Sequence, residues 1–148
     1  MRKPYLIIID GPMGAGKTTV AQLLQKKLHG KKGVNALISL DKLKNIASGY
    51  KLDSKLHLSL ASDIGAGMAK EYLKRDYNVI VEKAFTQSKY LKSFLKPFSK
   101  KANILIYQIE APFDLRLKRI GGRDIKYSKK TPLNKIKRNT KNYDELKY

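Results

Sequence analysis

The run Asp10-Gly11-Pro12-Met13-Gly14-Ala15-Gly16-Lys17-Thr18-Thr19 carries the clearest chemical signal in this chain. Gly11, Gly16, Lys17 and Thr18 fall on the spacing G-x-x-x-x-G-K-[ST], which is built to bind phosphate. A glycine-rich turn lets successive backbone N–H groups converge on phosphate oxygens, and a helix starting behind it adds the positive end of its dipole. The cradle is therefore expected from Gly11, Met13, Gly14, Ala15, Gly16, Lys17, Thr18 and Thr19. Lys17 is placed to reach the β- and γ-phosphates and Thr18 to hold Mg²⁺.

Two carboxylates follow apolar runs. Asp41 comes directly after Val34 to Leu40, a predicted strand, and in open α/β sheets ligands bind at the carboxyl ends of strands. The same residue also reads as an N-cap for a short helix marked by Leu43, Ile46 and Ala47. Glu82 ends a strand expected over Asn78 to Val81, where it can hold magnesium through water, orient an acceptor, or pair with nearby lysines. His29 and His57 stand far apart with no ligand spacing around them, and cysteine is absent. Disulfides, thiolate catalysis and cysteine metal sites are therefore excluded.

These residues need a scaffold that brings strand ends together. Tyr5 to Ile9 is an unbroken apolar run, as suits a strand buried on both faces, and Asn103 to Ile109 reads as a fourth strand. Between the strands come helical patterns. Val20, Ala21, Leu23, Leu24 and Leu28 follow the phosphate motif, stopped by His29-Gly30-Lys31-Lys32-Gly33. Leu56, Leu60, Ile64 and Met68 recur every four residues after the capping pair Asp53-Ser54, in a helix expected to reach about Arg75. Gly65 and Gly67 weaken that helix unless it packs closely against the sheet or a ligand. Tyr90, Leu91, Phe94 and Leu95 mark a short helix stopped by Pro97, with its aromatics expected in the core. A last helix opens after Glu110-Ala111-Pro112, carries Leu115, Leu117 and Ile120, and should end at Gly121-Gly122.

The expected fold is α/β, a three-layer domain with a parallel sheet of four or five strands, occupying residues 1–148 as one unit. A net charge of +20 predicts attraction to polyanions, whether nucleotides, nucleic acid or acidic surfaces. Arg116 to Lys141 holds eleven Lys or Arg against the single acid Asp124 and few large apolar residues. This basic segment, about 116–148, reads as a lid or tail, more a mobile loop than a core element. No transmembrane segment is read, and the N-terminal apolar run of about five residues is too short for a signal peptide, so a cytoplasmic protein is expected.

Ile7 to Ala21 resembles the opening of small nucleotide kinases, cytidylate kinase especially. Ile38-Ser39-Leu40-Asp41, Asn78 to Glu82, and Ala111-Pro112 followed by Arg119 and Arg123 are similar to another branch of P-loop kinases. That branch includes chloramphenicol phosphotransferases, zeta toxins and polynucleotide 5′-kinases. The resemblance spans about residues 5 to 125 and implies an ATP-dependent kinase that uses Mg²⁺ and phosphorylates a small-molecule or nucleotide acceptor. It assigns Lys17 to the phosphates, Asp41 to the acceptor hydroxyl as base, and Arg119 and Arg123, with Arg116 as a third candidate, to the transferring phosphate. Glu82 stands where many relatives have aspartate. Relatives commonly continue past the position of Tyr148 into another strand and helix that help hold the adenine, so an incomplete or a differently built base site is expected. Two alternatives stay open: a polynucleotide kinase or nucleic-acid-associated NTPase, and a nucleotide-binding switch with little turnover.

Overall fold

The computed structural model describes residues 3–28, 34–46, 55–128 and 130–144. Its four strands are β1 (Tyr5–Asp10), β2 (Asn35–Ser39), β3 (Asn78–Glu82) and β4 (Asn103–Gln108), all parallel and ordered β2-β3-β1-β4. Each lies within a residue or two of its expected position. The register sets Ile9 beside Glu82 and Ser39 beside Glu82 in turn, so three strands end at one level. That shared edge is where the chemistry collects. The stop signal of residues 29–33 and the capping pair Asp53-Ser54 lie outside the described residues.

Helices cover both faces, which is why β1 and β3 are apolar without alternation. On one face Leu6, Ile8, Ile38, Val79 and Val81 meet Ala69 and Leu73 of α3 (Lys55–Leu73) and Leu91 and Phe94 of α4 (Ser88–Leu95). Phe98 joins them from a single 3₁₀ turn, Lys96–Phe98, that contains Pro97. On the other face Ile7, Ile9 and Ile80 meet Ala21, Val20 and Leu24 of α1 (Lys17–Leu28). β2 and β4 are the edge strands, and Leu105, Ile106 and Tyr107 of β4 stay partly exposed.

Three expectations are corrected. The helix α3 exists, but Leu56, Leu60, Ile64 and Met68 lie on its exposed side. Its buried stripe is Ala61, Gly65, Ala69 and Leu73, and the lack of a side chain at Gly65 lets α3 approach α2 (Leu40–Lys44) closely. A Cβ on Gly65 would sit 2.1 Å from Leu40 Cδ2, so the close packing expected there is against α2, whereas Gly67 has nothing within 4 Å. Of the aromatics in α4, Phe94 is buried and Tyr90 is 51% exposed. Finally, Gly121-Gly122 does not end α5, which runs unbroken from Phe113 to Lys126.

The basic segment is likewise not a loop. It forms the second part of α5 and a further helix, α6 (Leu133–Asp144), which buries Ile136 and Tyr143. Two apolar anchors one face apart suffice because α6 fixes itself by polar side chains instead. Among the described residues no helix is long and apolar enough to cross a membrane.

Candidate active site

The phosphate loop leaves β1 at Asp10, which is fully buried. Its Oδ1 accepts hydrogen bonds from the Gly11 amide at 2.7 Å, the Phe85 amide at 2.9 Å and the Tyr143 hydroxyl. Gly11 follows with φ +150°, and a Cβ there would lie 2.2 Å from the Ile109 carbonyl oxygen, so only glycine fits. Gly14 has φ +78° and presses against the backbone of Arg116 in the same way. The loop closes with the Ala15 amide donating to the Pro12 carbonyl, and α1 begins at Lys17.

Behind the loop stands α6. Asn139 Oδ1 accepts the Met13 amide at 2.8 Å, so Met13 shapes the cradle while its N–H is already engaged. Arg116, only 4% exposed, donates to the Ala111 and Met13 carbonyls and to Thr140 Oγ1. It is a brace between loop and α6, and that removes it from the candidates for the transferring phosphate. Tyr143, Asn139 and Thr140 were hidden in sequence because nothing in their spacing refers to a loop more than 120 residues away. The only hint is the apolar pair Ile136 and Tyr143, at i and i+7, which marks one helical face.

In front of the loop, fourteen residues enclose a cleft of about 600 Å³. Lys17, Thr18, Asp41, Glu82, Arg119 and Arg123 all line it, together with Gly14, Ala15, Gly16 and Thr19. Residues from four separate stretches are thus brought together: Lys17 and Thr18 open α1, Asp41 follows β2, Glu82 ends β3, and Arg119 and Arg123 come from α5. Lys17 is 8% exposed and donates from Nζ to the Pro12 carbonyl at 3.1 Å. Burial lowers its pKa, while Asp41, Glu82 and Asp10 oppose that. Thr18 Oγ1 donates to Glu82 Oε1 at 3.2 Å, and Ser39 Oγ donates to the same oxygen at 2.6 Å.

Asp41 is in the first turn of α2 and makes no N-cap; the N-cap is Ser39, without a side-chain cap bond. Its side chain is 53% exposed and lines the cleft, and it accepts from Lys44 Nζ at 2.6 Å. Desolvation in the cleft raises its pKa, and the Lys44 ammonium and its hydrogen bond, with Lys17 and Lys83, outweigh it, so the net direction is downward. Asp41 is therefore held ionised at neutral pH.

Arg119 reaches over the loop, its Nη1 donating to the Gly14 and Ala15 carbonyls at 3.3 and 3.2 Å. Arg123 hangs at the cleft mouth, tethered at 3.4 Å to Asp124 and to Thr131. One further lysine belongs to this neighbourhood and had no sequence signal: Lys83, 8% exposed, whose Nζ donates to Ser62 Oγ of α3 at 3.0 Å. Burial and then Lys44 lower its pKa to about 8, with Asp41 and Asp10 opposing.

Magnesium is a hard cation that takes oxygen ligands and keeps several waters. Thr18 and Glu82 offer oxygens in hydrogen-bond reach of each other inside the cleft, and among the described residues no cluster of three or more His, Cys, Asp or Glu forms a protein-only cage. This donor set fits a Mg²⁺ that draws its remaining ligands from phosphate and water.

Residues 6–146 match the family described as AAA domain. The chain belongs to the AAA domain family. This AAA-domain chain is 32% identical over 129 residues to a cytidylate kinase of Sulfolobus acidocaldarius, a match covering 80% of the chain and 61% of that relative. It therefore spans less than two thirds of the curated relative's length. Among solved structures, it superposes on the Pnkp1/Rnl/Hen1 RNA repair complex with a TM-score of 0.79 at 17% identity, over 100% of this chain and 48% of that one. It superposes on the Mycobacterium tuberculosis APS kinase CysC, in complex with AMPPNP and APS, with a TM-score of 0.69 at 16% identity, over 80% and 69%. At these identities the structural likeness gives the fold of the AAA-domain chain, that of a small P-loop kinase, as the residues quoted above imply.

Proposed function

We propose that this protein transfers the γ-phosphate of ATP to a small-molecule or nucleotide acceptor. The observation that carries the reading is the convergence of Lys17, Asp41, the Thr18–Glu82 pair, Arg119 and Arg123 on one cleft. The loop amides and Lys17 hold the triphosphate. Bound Mg²⁺, which Thr18 and Glu82 would hold, supplies charge neutralisation to the phosphate oxygens.

Transfer breaks the bond between the γ-phosphorus and the β,γ-bridging oxygen, releasing ADP, and forms a bond from the γ-phosphorus to the acceptor oxygen. Where that oxygen is a hydroxyl, its proton passes to Asp41. Because such transition states are loose, the hydroxyl proton is lost late, and a carboxylate held ionised by Lys44 serves chiefly to aim the oxygen. Arg119 and Arg123 spread positive charge over the transferring group. Catalysis is then positioning and electrostatics, with little demand for a strong base.

The likeness to a cytidylate kinase puts nucleoside monophosphates first among acceptors to try. A 5′-hydroxyl oligonucleotide is the second class, favoured by the net charge of +20 and by the likeness to a protein of an RNA repair complex. The test is ADP release from Mg-ATP against nucleosides, nucleoside monophosphates, small hydroxylated metabolites and a 5′-hydroxyl oligonucleotide. One acceptor class stimulates release, and Lys17→Ala lowers that rate by about 10²–10³-fold with the fold retained. Tight ATP binding with no stimulation by any acceptor sinks the kinase reading in favour of a nucleotide-binding switch.

A further inference from the structure

The two edges of the sheet are finished differently. β2 buries Asn35, Ala36 and Ile38, and the outward carbonyl of Asn35 accepts Gln25 Nε2 of α1 at 3.2 Å. β4 has neither protection. Leu105, Ile106 and Tyr107 are 37–50% exposed and alternate between the two faces, so the sheet is open on both faces at this side. The amides of Asn103 and Ile109 donate to the carbonyls of Pro4 and Asp10. By the two-residue alternation of a parallel ladder, the Leu105 and Tyr107 amides also face β1, whereas the N–H and C=O groups of Ile104, Ile106 and Gln108 point outward. Among the described residues no backbone bond outside the sheet takes those outward groups.

An open edge is a template for another strand, and soluble chains blunt theirs with lysine, proline, a bulge or a cover. Asn103–Gln108 holds no charged residue, proline or glycine, and its pairing with β1 runs without a bulge. In a chain of net charge +20, most of the surface repels a second copy, and this neutral strand does not. The residues around it go further and attract one. A two-fold axis normal to the sheet keeps every side chain on its own face and runs the two copies of β4 antiparallel. With Leu105 on the axis, Ile104 pairs with Ile106 and Ala102 with Gln108 through their outward groups, and Asn103 lies opposite Tyr107. Lys100 and Lys101, just before one strand, then come beside Glu110, just after the other, and all three are exposed. Moving the axis to Ile106 sets Ala102 against Glu110 and takes the lysines away from the acid, so charge selects Leu105.

We infer that the outer edge of β4 docks β4 of a second copy of this chain, antiparallel about a two-fold at Leu105, joining the two sheets into one. The interface is isologous, with the same residues given and received by each copy. Because the strands of the two copies run in opposite directions, their carboxyl ends and clefts lie at opposite ends of the joined sheet. Each cleft then takes nucleotide independently. The inference goes beyond the phosphotransfer reading and does not depend on it.

The test is sedimentation equilibrium of the full-length protein across the micromolar range, with amide exchange read by NMR at the lowest and highest concentrations. A monomer–dimer equilibrium is expected. The outward amides of Ile104, Ile106 and Gln108 slow as concentration rises, while those of Leu105 and Tyr107 are slow throughout and serve as the internal standard. Glu110→Lys sets like charges against Lys100 and Lys101 and weakens the dimer by about tenfold. Adding Lys100→Glu and Lys101→Glu to it restores association. Leu105→Lys places two ammonium groups at the axis and abolishes the dimer; should it fail to fold, as judged by thermal melting, the charge reversals carry the test. Every folded variant keeps its affinity for Mg-ATP. A monomer at all concentrations overturns the inference, as does a dimer indifferent to the charge reversals. So do outward amides that exchange fast in a dimer, since the copies then meet elsewhere, and outward amides that are slow in a monomer, since another segment of the same chain then covers the edge.

Discussion

Gly65 and Gly67 lie two residues apart in one helix and should respond oppositely to the same substitution. Replacing glycine by alanine inside a helix gains about 1 kcal/mol from backbone entropy, and this gain is common to both sites. At Gly67 nothing lies within 4 Å of the added methyl, so the gain stands alone. At Gly65 the methyl would meet Leu40 Cδ2 at 2.1 Å, and Leu43 Cδ1 stands behind at 3.5 Å. Reaching ordinary contact needs a retreat of about 1.3 Å. Leu40 is fully buried and cannot simply swing aside. Overpacking of this kind costs about 1–3 kcal/mol, so Gly65→Ala should be less stable than Gly67→Ala by about that amount. For a chain of this size, that is a gap of about 2–12 °C in Tm. Leu40 also precedes Asp41, so the same displacement moves the carboxylate, and a misplacement near 1 Å costs about 10²-fold in rate. Thermal melting and acceptor-stimulated ADP release on both variants provide the check. If the two alanines stabilise equally, or if Gly65→Ala keeps full turnover, the packing of α3 on α2 does not position Asp41.

Asp41→Asn keeps the shape of the side chain and removes its charge. It should lower transfer by about 10²–10⁴-fold while ATP affinity stays within a few-fold, and equal loss of both would make Asp41 structural. Tyr143→Phe removes the hydroxyl that reaches Asp10 and should cost about 1.5–3 kcal/mol in urea unfolding, because the acceptor is a fully buried carboxylate. The same variant loosens the phosphate loop and raises the KM for ATP. Asp124 accepts the Thr131 amide at 2.6 Å, and that bond, with the Thr131 hydroxyl and Arg123, overcomes its partial burial to hold its pKa below the ordinary 3.8. A depressed folded-state value stabilises fully above the unfolded pKa and is lost as pH falls through the folded one. The stability gap between wild type and Asp124→Asn should thus be constant from pH 7 to about 5 and close below pH 4.

The scaffold was legible wherever local pattern and tertiary need agree. Tyr5 to Ile9 and Asn78 to Val81 are apolar on both faces because helices cover both, and the glycine–lysine spacing of residues 11–18 works through backbone geometry that neighbours do not alter. Legibility failed where partners set the outcome. In α3, two stripes recur every four residues, one large and apolar, one small. Size suggests burying Leu60 and Ile64, yet the proximity of α2 selects Ala61 and Gly65. The basic stretch after Arg116 looked like a loop because counting apolar residues misses Asn139, Thr140 and Arg116, whose contribution is hydrogen bonding to a distant turn. The Gly121-Gly122 stop failed since α5 continues to be held by the Asp124 and Arg123 contacts beyond it. Lys83 gave no signal at all, being one lysine among many until its burial is seen.

The bracing of the phosphate loop by α6 has a temporal consequence. Asp10 and Tyr143 are 133 residues apart, so the loop leaves the ribosome well before its brace. At about 5–20 residues per second, translation separates them by roughly 7–27 s. During that interval the nascent chain carries the glycine–lysine motif without Asn139 on Met13 or the Tyr143 hydroxyl on Asp10. Nucleotide capture with native affinity therefore becomes a late event in the life of each molecule, a built-in marker that synthesis has passed α6.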